Sequence, residues 1–212
     1  MNLYFSPMAC SLASRIALYE AGVTGVKFIE IDPATKRTLD GGDYLDIYPL
    51  GLVPALRLDD GSLLTENAAV LQYLAARFPA ANLAPTGDIE RARLQQWLCF
   101  IGTEMHKALF TPLFDKKAPD GTKLHTLARS RARLDFLNGH LTGREFLLDR
   151  FSVADAYLCT VLNWTRPTQV DLTPWPAIKK YHRRIAARPS AARAISEETA
   201  LYEAELARHR AA

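Results

Sequence analysis

The spacing of apolar residues changes period repeatedly over the first eighty positions and then settles into one period for the rest of the chain. Leu3-Tyr4-Phe5 is a short apolar run closed by Ser6-Pro7, after which Leu12, Ile16 and Ala17 recur on one helical stripe and Gly22 is placed to end it. This predicts a strand, a turn and a helix, with Cys10 where the helix begins. Val26 to Ile31, rich in β-branched and aromatic residues, reads as a second strand, and the polar stretch from Asp32 to Asp46, with Gly41-Gly42, as loop or irregular helix. Tyr48 to Leu58 and Leu63-Leu64 flank Asp59-Asp60-Gly61-Ser62, the pattern of a β-hairpin. Pro54, which has no N–H to give a ladder, opens the first of its strands. From Thr65-Glu66-Asn67 the spacing is helical again, with Val70, Leu71, Leu74 and Phe78 on one face.

The order β, α, β, loop, β, β, α makes residues 1–78 a small α/β module. Residues 79–87, bounded by Pro79 and Pro85 and without periodicity, read as a linker. Residues 88–212 read as helical throughout, with helices from about Asp88, over Lys123 to Leu141, Ser152 to Trp164, Trp175 to Ala187 and Ser196 to Arg208. The fold class predicted is therefore α/β followed by all-α.

Composition narrows the class without choosing a function. With 49% hydrophobic and 23% charged residues the chain is an ordinary globular protein. No apolar run approaches the ~20 residues that span a bilayer, and no basic segment followed by an apolar one opens the chain, so a cytoplasmic location and no membrane partner are expected. The net charge of +3 comes with late basic residues, among them Lys179, Lys180, Arg183, Arg184, Arg188 and Arg193, which read as a solvated helix face; no nucleic-acid partner is expected without a reading element. Cys10, Cys99 and Cys159 are far apart and form no CxxC pair, and the five histidines have no metal spacing, so neither a disulfide framework nor a metal is predicted.

Three stretches carry candidate chemistry. At a helix start, unpaired N–H groups and the positive end of the dipole favour thiolate over thiol, which would make Cys10 nucleophilic at neutral pH; the other reading of Cys10 is a small buried hydrophobe. The start of the helix at Glu66 and Asn67 is a natural site for an anion or polar ligand. In the helical part, Cys99, Thr103, His106 and Phe110 lie at i, i+4, i+7 and i+11, a stripe suited to lining a cleft, although such stripes also serve interhelical packing. Ser152 and Asp155 have the spacing of a reciprocal helix cap, a structural role.

Taken together, these segments resemble the cytosolic glutathione transferases, and among them the bacterial beta class, over nearly the whole chain. The resemblance rests on Ala9-Cys10-Ser11-Leu12-Ala13-Ser14, Val53-Pro54-Ala55-Leu56, Leu64-Thr65-Glu66, Ser152-Val153-Ala154-Asp155-Ala156-Tyr157, and Thr103-Glu104-Met105-His106-Lys107. It implies a thioredoxin-like first domain, an all-helical second domain holding the electrophile, a homodimer, and glutathione as co-substrate with a small electrophilic or disulfide substrate. It further implies a cis bond before Pro54, with Val53 binding the cysteinyl backbone of glutathione, Glu66 and Asn67 at its γ-glutamyl end and Lys36 near its glycyl carboxylate. Cys10 would form a mixed disulfide with glutathione, with His106 close by and Lys107 beside it. The chain departs from the family at Phe5, Met8 and Cys99, where Tyr, Gly and Asn are common, and at Leu50 and Leu52, which replace a charge and an amide. The leading reading is conjugation of glutathione to electrophiles, with thiol exchange at Cys10. Its alternatives are a non-catalytic binding protein, favoured by Leu50 and Leu52, and a glutathione-dependent isomerase or dehalogenase.

Overall fold

The computed structural model describes residues 1–211. Four strands form one sheet: β1 (Asn2–Phe5), β2 (Lys27–Glu30), β3 (Ala55–Arg57) and β4 (Leu63–Thr65), in the order β2-β1-β3-β4. β1 is parallel to β2 and antiparallel to β3, and β3 is antiparallel to β4. The chain makes two compact units, Met1–Asn82 with Arg188–Ala212, and Leu83–Ala187. Among the described residues no helix is long and apolar enough to cross a membrane.

In the first unit the sheet packs with α1 (Leu12–Glu20) and α2 (Asn67–Arg77). The apolar run in β1 has its explanation here: Leu3, Tyr4 and Phe5 are all buried because both faces of this central strand are covered. Tyr4 packs with Tyr44, Ile31 and Ala55 on one face, its ring centroid 5.5 Å from that of Tyr44. Phe5 lies on the other, beneath the Arg15 guanidinium. The stretch from Asp32 to Asp46 contains a 3₁₀ turn at Tyr44–Asp46 and two bridges, Ile31 with Thr38 and Arg37 with Asp43. Its conformation follows the burial of Tyr44, which local polarity does not announce.

The last helix of the chain belongs with this unit. α8 (Pro189–Ala211) starts well before Ser196, because Pro189 sits at a first-turn position where its missing N–H is no loss. Charge pairs join α8 to the sheet module at three levels. Arg188, just ahead of α8, and Ser190 hold Glu20, Glu197 and Glu198 hold Arg15, and Arg208 and His209 hold Glu30 and Asp32.

The second unit is a helical assembly of α3 (Asp88–Phe100), α4 (Thr111–Phe114), α5 (Asp120–Leu141), α6 (Val153–Leu162) and α7 (Pro176–Ala186). Between α3 and α4 the chain runs as a π-helix from Ile101 to Phe110. The reciprocal cap read from Ser152 and Asp155 is present, and α6 behind it is buried along its whole length. One Asp155 oxygen accepts from Ser152 N–H at 2.8 Å and the Ser152 hydroxyl at 3.0 Å; the other accepts from Leu147 N–H at 2.9 Å and the Tyr181 hydroxyl at 2.7 Å. Burial nonetheless raises the Asp155 pKa, since these four bonds do not replace the lost water.

Two outcomes are expected. Asp155→Ala strands Leu147 N–H, Tyr181 O–H and Ser152 N–H in a site with no water access, and should lower stability by more than about 3 kcal/mol, measured as a shift in the denaturant midpoint. Burial alone would raise the Asp32 pKa, but His209 and the N–H groups of Thr35 and Ala34 bring it to about 2. A carboxyl depressed on folding contributes stability above its ordinary pKa and loses it as pH falls toward the folded value. Native protein should therefore lose more stability between about pH 4 and pH 2 than Asp32→Asn does.

Candidate active site

Strand register gathers the first group of residues. Ala55 pairs with Tyr4 on one side and Thr65 on the other, so the segments beyond Phe5, before Ala55 and after Thr65 all leave the sheet at one edge. Those segments carry Cys10, Val53-Pro54 and Glu66-Asn67. α1 begins at Leu12, not at Cys10. Cys10 lies in the turn that leads into the helix, its C=O accepting from Ala13 N–H at 3.2 Å. It is 9% exposed, and its thiol donates to the Val53 carbonyl at 3.1 Å. The Val53-Pro54 bond is cis.

The loop that presents Val53 is held from below. The Tyr44 hydroxyl donates to Leu52 C=O at 2.7 Å and Lys36 Nζ to Gly51 C=O at 3.0 Å. Gly51 has φ +59, and a β-carbon there would lie 3.0 Å from Leu45 and 3.1 Å from Lys36, so any other residue would be strained in its backbone and would push both side chains aside. Burial pushes the Tyr44 hydroxyl well above the ordinary tyrosine value, so it stays protonated and donates at neutral pH. Leu50 and Leu52, beside it, are 66% and 47% exposed.

Glu66 is exposed in the N-cap position of α2 with φ +67, an uncommon conformation for a residue with a side chain. Asn67, in contrast, turns inward. It is 6% exposed, its Oδ1 accepts from the Ser14 hydroxyl at 3.4 Å, and its Nδ2 has no hydrogen-bond partner among the described residues. What Asn67 offers a ligand is therefore the backbone at an uncapped helix start, with Glu66 supplying the side chain.

In the second unit the π-helix rearranges the expected stripe. The i, i+4, i+7, i+11 spacing holds for an α-helix, whereas the wider turn from Ile101 to Phe110 rotates each later residue backward around the axis. Cys99, Thr103 and Lys107 are exposed and His106 is half-buried, but Phe110 is fully buried with its ring against Trp164, centroids 5.8 Å apart. Phe110 thus supports the surface from beneath and does not line it, a correction to its reading as a cleft residue. The Thr103 hydroxyl donates to Cys99 C=O at 3.0 Å, spending its proton within the helix.

His106 is fixed by two residues that spacing within its own helix could not reveal. Its Nδ1 is 2.9 Å from the Tyr157 hydroxyl, and its ring lies edge-on to Trp164 at 4.8 Å. Tyr157 and Trp164 are seven residues apart, a spacing that places them on one side of α6 and the turn after it. Phe114 adds a further edge-on contact to Trp164 at 5.6 Å. Burial first, and then the charge of Lys107, lower the His106 pKa to about 4. The imidazole is consequently neutral at pH 7.

The profile described as "Glutathione S-transferase, N-terminal domain" matches residues 7–77, and that described as "Glutathione S-transferase, C-terminal domain" matches residues 102–189. The chain is 41% identical to the glutathione S-transferase GstA of Escherichia coli O157:H7, over 93% of this chain and 98% of that one. Among solved structures, a sphingomonad glutathione S-transferase complexed with glutathione is 41% identical, with a TM-score of 0.89 over 94% of this chain and 99% of its own. A bacterial beta class enzyme from Sphingomonas chungbukensis is 42% identical, with a TM-score of 0.88 over 93% and 98%. The chain belongs to the glutathione S-transferase family, and it has that family's fold: a thioredoxin-like module followed by helices.

One prediction concerns the histidine. With its pKa lowered to about 4, the His106 ring signals followed by NMR should not titrate between pH 5.5 and 8, whereas an exposed imidazole changes over that range.

Proposed function

We propose that the protein transfers glutathione to small electrophiles and also exchanges thiols through Cys10, as a cytoplasmic homodimer. Glutathione binds within residues 1–78, its cysteinyl backbone on Val53 beside Pro54, its γ-glutamyl end at Glu66 and the start of α2 at Asn67, and its glycyl carboxylate toward Lys36. The second substrate lies against Cys99, Thr103, His106 and Lys107 of the helical part, with Trp164 as the aromatic surface and Phe110 beneath it. The observation that supports this reading most directly is the Cys10 thiol on the Val53 carbonyl at 3.1 Å, which puts a cysteine sulfur beside the backbone group assigned to the cysteinyl residue of glutathione.

Two reactions follow from that placement. In conjugation, the glutathione thiolate attacks an electrophilic carbon, and the carbon's leaving group departs or its double bond takes up a proton. In exchange, the Cys10 thiolate attacks the glutathionyl sulfur of a mixed disulfide, the S–S bond breaks and the substrate thiolate leaves. A second glutathione thiolate then attacks the glutathionyl sulfur of the Cys10 mixed disulfide, the S–S bond to Cys10 breaks, and oxidised glutathione and the Cys10 thiolate are released. Cys159 is suited to neither reaction, because burial pushes its thiol up to about 12.

Leu50 and Leu52 support the second reading, a non-catalytic binding protein, because both are exposed beside the loop assigned to glutathione. Retention on immobilised glutathione and elution by the free tripeptide are expected for the first reading only. Oxidised glutathione should place one reductant-reversible adduct on Cys10, seen by intact-mass spectrometry and peptide mapping. Cys10→Ala should keep conjugation within about tenfold and lose exchange, since the bound glutathione is the nucleophile in the first reaction alone. Light scattering should return twice the 23.6 kDa chain mass.

A further inference from the structure

Met8 has a backbone conformation that a residue with a side chain seldom adopts. The turn Ser6-Pro7-Met8-Ala9 is closed by Ala9 N–H donating to Ser6 C=O at 3.1 Å, and Met8, in its third position, has φ +58. Glycine sits there without penalty and methionine does not. In such a turn the third residue's N–H has no partner of its own. Here it donates to Glu198 Oε2 at 2.8 Å, across 190 positions of sequence.

Glu198 is fully buried on α8, and its other oxygen accepts from Arg15 Nε at 2.9 Å. Met8 lies two residues before Cys10 and Arg15 five after it. One carboxylate thus grips the chain on both sides of the cysteine. The Thr199 hydroxyl, next along α8, approaches the Met8 sulfur at 3.8 Å.

We propose that Glu198 is a positioning residue for Cys10: it holds the left-handed turn at Met8 and the helix at Arg15, and so orients the thiol between them. This rests on the reading of Cys10 as the reacting thiol. Glu198 acts through the backbone on either side of the cysteine. Burial pushes the Glu198 carboxyl up to about 7, against the opposing pull of Arg15 and Met8 N–H. The charged groups that face it are Arg15 of α1 and Glu197 of its own helix, the latter itself held by Tyr19, Arg15 and Arg193. Protonation near neutrality weakens both grips together, so the orientation of Cys10 acquires a pH dependence through Glu198.

The test compares the native chain with Glu198→Gln, Glu198→Asp and the double variant Glu198→Gln, Met8→Gly. Amide exchange at Met8 is followed by NMR. Alkylation of Cys10 by iodoacetamide, with exposed Cys99 as internal reference, is followed from pH 5.5 to 9. In Glu198→Gln the Met8 amide should exchange at least about tenfold faster, and the Cys10 rate relative to Cys99 should change at least about threefold, the scale of one lost charge-assisted hydrogen bond. The step near pH 7 in the native Cys10 profile should vanish. Adding Met8→Gly should bring the relative Cys10 rate back to within about twofold of native, because glycine keeps the turn without the anchor. Glu198→Asp, with a carboxylate one methylene shorter, should fall between. A Met8 amide as protected in Glu198→Gln as in the native chain, or an unchanged Cys10 profile beside a lowered melting temperature, overturns the proposal and leaves Glu198 as a fastener of α8 alone. A native Cys10 no faster than Cys99 would instead overturn the reading of Cys10 as the reacting thiol, while Met8 exchange still decides the anchor.

Discussion

A guanidinium cannot be buried alone, and the burial of Arg15 settles where the end of this chain must go. Arg15 is 4% exposed, its carbon 4.4 Å from the centre of the Phe5 ring and 4.0 Å from that of Phe28. The ring faces attract the cation but do not neutralise it. Neutralisation comes from Glu197 and Glu198 of α8, so the sheet module is complete only when the last helix lies on α1. Removing both partners would leave a buried charge unpaired, which costs far more than a surface pair of the same geometry returns. The outer pairs, Glu20 with Arg188 and Asp32 with His209, fix the ends of a helix whose middle Arg15 already holds.

This arrangement explains what could be read beforehand. The alternation of short apolar runs, turn residues and helical spacing in residues 1–78 was legible because each element there is decided by neighbours close in sequence. The hairpin at Asp59-Asp60-Gly61-Ser62 and the Ser152 and Asp155 cap are of the same kind. The destination of α8 was not legible: its residues look like any solvated helix, and the pairs that bind it join positions nearly two hundred apart. The 3₁₀ turn at Tyr44–Asp46 was hidden for a related reason, since a polar, glycine-containing stretch gives no sign that one tyrosine in it will be wholly buried.

The site divides in the same way. Cys10 and Glu66 were legible as candidate chemistry near helix starts and Pro54 as a strand opening, whereas Val53 entered only through the family resemblance; the register brings these segments to one edge of the sheet. Asn67 was legible as a residue but not in orientation, because its partner Ser14 lies on another helix. Tyr157 and Trp164 carried a signal in their seven-residue separation, masked by the capping motif on one side and the helix end on the other. The neutral state of His106 could not be read at all, for it is burial that sets it, and burial belongs to the folded chain.

The π-helix from Ile101 to Phe110 has a consequence for how this enzyme can vary. A π turn accommodates one more residue than an α turn, so the segment is a reserve of chain length stored inside a continuous helix. Loss of a single residue from it need not break the helix; it converts π to α locally. An α turn with one residue fewer sweeps nearly the same angle as the π turn it replaces, so the helices on either side, α3 and α4, keep their faces. Only the segment itself turns, its residues moving around the axis against fixed flanks. Length in this segment is therefore a means of re-aiming one stretch of a helix while its two ends stay packed.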